Sequence, residues 1–145
     1  MTLPVPLLFS PDALATLLEE ANQHPWESVR SVLAEADGQP HPRIAALASH
    51  LSATKRQYWT LIAEAARNEG NNEDAVPFPP EDAGLTRLME WEVAAARALP
   101  EAVLALNVTH SGTLMTVSEL LRLNARHAAW HAGQIAALAR RERSA

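Results

Sequence analysis

Proline placement constrains this chain more than any other feature. Its ten prolines gather at 4–11, 25, 40–42, 77–80 and 100, and the stretches between carry apolar residues at helical spacing. A proline inside a helix removes a backbone hydrogen bond and clashes with the preceding turn, so these breaks delimit helices. No run alternates apolar and polar residues with the period of two that a half-buried strand needs. The reading is all-α.

Ser10-Pro11-Asp12 opens the first helix with a capping hydroxyl, a proline at the first helical position and an early acid. Leu14, Leu17 and Leu18 follow. Pro25 interrupts this helix, which can resume from Trp26 to Ala36, before a turn at Asp37-Gly38-Gln39-Pro40. Pro42 can open a second helix running to about Asn68, and EGNNEDAVPFPP (69–80) reads as a loop. A third helix is expected from near Glu81, carrying Leu85, Leu88, Val93 and Leu99, and Pro100 can start a further helical segment. NVTHSGTLMT, containing Gly112, reads as a connector. Thr116-Val117-Ser118-Glu119 fits a capping box, with Met115 and Leu120 placed for a hydrophobic staple. The fourth helix then runs to about Arg141. Four such helices predict one domain over 1–145, a four-helix bundle.

A chain of 145 residues can bury one core without a disulfide or metal staple. It contains no cysteine, which excludes disulfides, iron–sulfur ligation and thiolate zinc sites and leaves histidine and carboxylate as the strong ligands. Net charge is −5 with the signs interspersed, so nucleic acid is not an expected partner. The one dense basic cluster, ARRER (139–143), suits a helix C-terminus. No apolar run approaches the roughly 18–20 residues of a membrane span, and MTLPVPLLFSPD lacks the basic start of a signal peptide. The expected location is cytoplasmic, with no membrane partner.

The chemistry concentrates in RHAAWHAGQI (126–135). A four-residue helical step turns about 400°, so His127 and His131 are offset by only about 40° and can converge on one ion. Val117, Leu120, Leu121, Ile135 and Leu138 form the apolar stripe of this helix, and Asn124, His127, His131 and Gln134 continue it. On the second helix Leu47, His50, Leu51, Thr54, Tyr58 and Leu61 share a face, which is expected to place His50 among core residues. Three imidazoles from two helices would leave open positions on a metal, as catalytic sites do. The spacing leaves the alternative of two satisfied structural histidines open. Ala128 stands where the zinc-protease pattern HExxH has its glutamate, so that mechanism lacks its base.

Other positions carry weaker signals. His24 and His41 each precede a proline and suit turns; His110 suits a loop, with the mouth of the site as the alternative. Trp26, Trp59, Trp91 and Trp130 read as core or interface anchors. Glu90 and Glu92 do not share a face and read as solvated. There is no glycine-rich phosphate loop and no GxSxG.

ASHL (48–51), GTLMTVSEL (112–120) and LNARHAAWHAGQI (123–135) together resemble the DinB/YfiT-like superfamily, most closely over 108–138 and moderately over 42–58. The resemblance implies a four-helix bundle, commonly a homodimer, with a divalent metal on His50, His127 and His131; imidazole suits Zn, Ni or Fe without discriminating strongly among them. Gln134 matches a glutamine that recurs in the family. Relatives include S-transferases and isomerases that use bacterial low-molecular-weight thiols, and the family name does not imply nucleic-acid binding. The leading expectation is thus a metal-dependent enzyme, a thiol S-transferase acting on a small electrophile, with Asn124, Gln134 and Tyr58 as residues supporting the ligands. The rivals are a non-catalytic metal- or small-ligand-binding bundle and a metal-dependent hydrolase.

Overall fold

The computed structural model describes residues 9–37, 41–70 and 76–144, without the side chains of 141–144. Residues 38–40 of the expected turn, 71–75 of the expected loop, and the side chains of Arg141, Glu142 and Arg143 in the basic cluster therefore lie outside the description. The fold is mostly helical, at 71% helix, with a small two-stranded sheet.

Helix α1 (Pro11–Gln23) begins where the Ser10 side chain accepts from the Ala13 N–H at 3.1 Å. A cap of this kind stabilises by about 1 kcal/mol. Leu14, Ala15 and Leu18 bury one stripe, each leucine contributing roughly 2 kcal/mol by leaving water. Beyond Pro25 the chain does not resume its helix at Trp26. Glu27 takes a left-handed φ of 55°, and α2 (Val29–Glu35) starts behind Ser28. The Ser31 N–H donates to Ser28 Oγ at 3.1 Å and the Ser28 N–H to Ser31 Oγ at 2.9 Å, so a serine pair sets the later start.

Helix α3 (Pro42–Asn68) has the expected bounds, with His41 Nδ1 accepting from the Arg43 N–H at 3.1 Å. Helix α4 (Leu85–Arg97) starts four residues later than the expectation at Glu81. The Arg56 guanidinium of α3 donates to the carbonyls of Pro80 and Ala83, turning both away from a helical ladder until Gly84 caps α4. The short α5 (Glu101–Leu104) follows Pro100.

Where a connector was expected, β1 (Asn107–His110) and β2 (Thr113–Thr116) form an antiparallel hairpin, pairing Val108 with Met115 and His110 with Thr113. The two loop residues, Ser111 and Gly112, have φ of 50° and 79°, the sign a tight hairpin turn requires at both positions. Four-residue strands carry too few alternations to stand out as a period-two pattern, which is why the sequence reading passes over them.

Helix α6 (Val117–Ser144) is capped by Thr116, whose Oγ1 accepts from the Glu119 N–H at 3.1 Å. It runs past the expected end near Arg141.

Buried apolar residues fall into two clusters. One joins α1, the C-terminal half of α3, α4, the hairpin and the start of α6, around Leu14, Trp59, Ile62 and Leu121. The other joins α2, the start of α3 and the later part of α6, around Val29, Leu51, Ala128 and Ile135. Along α3 and α6 they meet at Lys55 and Asn124, one turn from the histidines. Pairing of His50 with His127, and of Lys55 with Asn124, sets α3 and α6 antiparallel. Trp59 is fully buried and meets the half-buried Trp91 edge-on at 5.3 Å between rings. Trp26 and Trp130 are not core anchors of this chain, being 77% and 71% exposed.

Candidate metal centre

His127 and His131 stand one turn apart on α6, and His50 faces them from α3. His127 Nε2 lies 3.2 Å from His50 Nε2 and 3.0 Å from His131 Nε2, and the three rings meet edge-on. His50 departs from the sequence expectation: it is exposed, while His127 and His131 are half-buried. The buried line of α3 runs through Ile44, Leu51, Lys55, Tyr58, Trp59 and Ile62, so the stripe through Leu47, His50 and Thr54 lies at the edge of the α3–α6 seam. The centre therefore opens to solvent on the His50 side.

The protonation pattern follows from the partners. Gln134 Oε1 lies 2.5 Å from His131 Nδ1. A carbonyl oxygen only accepts, so Nδ1 of His131 carries the proton on this side, the tautomer whose Nε2 is free to act as a ligand. Burial, then His131 and His50, then Lys55 and His110, push His127 from 6.5 to about 4, so this ring is neutral at pH 7. Three imidazole nitrogens converging at these distances are accommodated in one of two ways: a proton on one of them shared with its neighbours, or one cation bound by all three. Two nitrogens about 2.0–2.1 Å from one ion, at a near-tetrahedral angle, lie about 3.3 Å apart, close to what is seen. His50, His127 and His131 can thus hold a metal, and their ligand atoms all lie within 4.8 Å of one another.

Tyr58 and His110 flank the centre. The Tyr58 ring stands 6.2 Å from that of His127 and 5.1 Å from that of His110. Burial first, and the Glu92 carboxylate second, raise the Tyr58 phenol above its ordinary value. The hairpin, not a loop, positions His110, whose Nδ1 is buried without a hydrogen-bond partner among the described residues. His24 and His41 serve turns as expected: His24 Nδ1 accepts from the Trp26 N–H at 3.0 Å, and His41 caps α3.

Asn124 points into the protein, but its hydrogen bonds run to a polar group that sequence reading missed. Glu92 is not solvated. It is fully buried, unlike the exposed Glu90. Its Oε2 accepts from Lys55 Nζ and from Asn22 Nδ2 at 2.6 Å; its Oε1 accepts from Trp59 Nε1 at 2.9 Å and Asn124 Nδ2 at 2.7 Å. Lys55, the chain's only lysine, also donates to Asn124 Oδ1 at 2.8 Å and is 1% exposed. The network ties α1, α3, α4 and α6 together directly beneath the histidines. Its signal was present: Lys55 falls four residues after Leu51, and Glu92 four after Leu88, on buried helix faces.

No protein-family model, curated protein or solved structure matches this chain. No helix among the described residues is long and apolar enough to cross a membrane.

Proposed function

We propose that His50, His127 and His131 hold one divalent metal ion and that the chain is a metal-dependent enzyme of the DinB/YfiT-like kind, a four-helix bundle in which α1, α3, α4 and α6 are the principal helices. The convergence of three Nε2 atoms across two helices carries this reading. Imidazole donors suit Zn²⁺, Ni²⁺ and Fe²⁺. Bound there, the ion supplies Lewis acidity that lowers the pKa of a thiol or water entering an open position.

The chain's own residues do the rest. Gln134 fixes the tautomer and orientation of His131. The Lys55–Glu92–Asn124 network holds the register of α3 against α6, and with it the spacing of His50 from His127. Tyr58 and His110 wall the site on the hairpin side. With no cysteine in the chain, a sulfur nucleophile has to arrive on a cosubstrate, so the reaction proposed is transfer of a low-molecular-weight thiol to a small electrophile. The exposed Trp26 and Trp130 support a homodimer.

Elemental analysis of untagged protein tests the metal. The reading expects about one equivalent per chain, lost in His127→Ala; less than about 0.2 equivalents, unchanged by the substitution, overturns it. Turnover of an electrophile with glutathione, mycothiol or bacillithiol that stops on chelation and returns on metal addition supports the transferase. Metal without turnover by any thiol moves the reading to a hydrolase or a binding protein.

A further inference from the structure

The groove beside His50 has a lining that specifies more than a metal ligand. It runs along the seam of α3 and α6, encloses about 500 Å³, and is open to solvent. That volume lies within the roughly 300–1,000 Å³ typical of small-molecule sites. On α3 it is lined in order by His50, Leu47, Ala46 and Arg43, and on α6 by Gln134, Ala137 and Leu138. Arg43 and His50 lie seven residues apart on α3, hence about 10 Å along the helix and on nearly the same face.

Charge decides what such a groove accepts. Among the described residues no aspartate or glutamate lines it, and the three histidines bring no negative charge to a divalent ion. Among the described residues Arg43 has no carboxylate partner, whereas Arg97 and Arg140 pair with Asp12 and Glu35. Its backbone N–H is engaged by His41, but its guanidinium is not. An apolar floor between the histidine cluster and Arg43 suits an elongated ligand that coordinates a bound ion through one end and carries negative charge at the other.

We propose that this groove binds an elongated small molecule with a metal-coordinating head at His50, an apolar body over Leu47 and Leu138, and a carboxylate-type tail paired with Arg43. The inference rests on the metal reading above. It narrows the substrate class to anionic molecules and assigns Arg43 as the residue that selects for the tail.

Cobalt-substituted protein titrated with mercaptohexanoate and with mercaptohexanol tests it. Thiolate coordination to cobalt(II) gives an absorption band that reports binding without any turnover. The acid is expected to bind about twofold to fivefold tighter than the alcohol at low salt, as a partly exposed ion pair provides. That advantage should shrink as salt is raised. Arg43→Gln, which keeps the backbone cap, should bring the two affinities together while leaving cobalt content and the alcohol's affinity unchanged. Mercaptopropanoate, too short to reach Arg43, should not respond to the substitution. Equal affinities for acid and alcohol, or a preference for the acid that survives Arg43→Gln, overturn this inference and leave the metal reading standing. Failure to take up cobalt overturns both.

Discussion

Glu92 offers the sharpest test of how the interior is built, because its neighbour Glu90 is a built-in control. Changing Glu92 to Gln preserves shape and leaves an oxygen to accept from Trp59 and Asn124. The new amide nitrogen then faces Lys55 Nζ, which cannot accept, and Asn22 Nδ2, whose amide accepts only if it turns its unpartnered Oδ1 inward. Two buried hydrogen bonds to a charged group are lost, each worth about 1.5–3 kcal/mol, and Lys55 is left as an uncompensated buried cation. Breaking one side of a buried pair costs about 3–5 kcal/mol in other proteins, which agrees with that sum. At about 2–4 °C per kcal/mol for a chain of this size, Tm should fall by roughly 6–20 °C. Glu90→Gln, at an exposed position two residues earlier on the same helix, should stay within about 0.5 kcal/mol of the parent. Urea titration of both variants, followed by circular dichroism, measures the difference. If the two agree within about 1 kcal/mol, Glu92 is not the buried hub described here, and the reasoning from its partners fails.

Two further outcomes follow from the centre itself. Gln134→Leu removes the acceptor that holds the proton on His131 Nδ1, so metal affinity should fall about tenfold or more, measured by competition with a chelator, while Tm of the metal-free protein changes little. Unchanged affinity would mean that Gln134 does not orient the ligand. In the metal-free protein His127 has a folded-state pKa lowered from 6.5 to about 4, so the folded chain binds fewer protons than the unfolded one between those values. Its contribution to stability is therefore present above pH 6.5 and is lost as pH falls toward 4. Tm should drop over that window by more in the parent than in His127→Gln, and parallel profiles would refute the assignment.

The sequence reading and the structure part company at instructive places. Helix positions were legible where a side chain announces them: Ser10 before Pro11, Pro42 after His41, Thr116 before Glu119. They were not legible where a distant residue decides. The start of α4 depends on Arg56, 24 residues before Pro80 in the chain, which takes the carbonyls that an earlier helical turn would have used. The start of α2 depends on the Ser28–Ser31 pair, which competes successfully with a resumption at Trp26. The hairpin hides because each strand is only four residues long and its turn is Ser-Gly, a weaker signal than Asn-Gly.

At the centre, a four-residue spacing on one helix is a local property, and His127 with His131 could be read as a pair. Pairing them with His50 requires knowing which faces of α3 and α6 meet, and single-helix projection placed His50 too deep. Projection cannot tell the middle of a buried stripe from its edge, because that depends on the crossing of two helices. The same limit explains Glu92. On α4 alone it sits among Leu88, Met89, Val93 and Ala96, yet an acid there looks like an error until Lys55, Trp59, Asn22 and Asn124 arrive from three other helices. The two misreadings are linked. Lys55 lies five residues after His50 and Asn124 three before His127, so the buried polar network and the open histidine cluster occupy successive levels of one seam. A charge pair buried at that level tolerates little sliding of α3 against α6, because displacement by even one turn would strand Lys55 in an apolar cluster. The same restriction keeps His50 opposite His127. In this chain the buried ion pair sets the register that brings the three histidines together, and leaves His50 at the exposed edge of the seam.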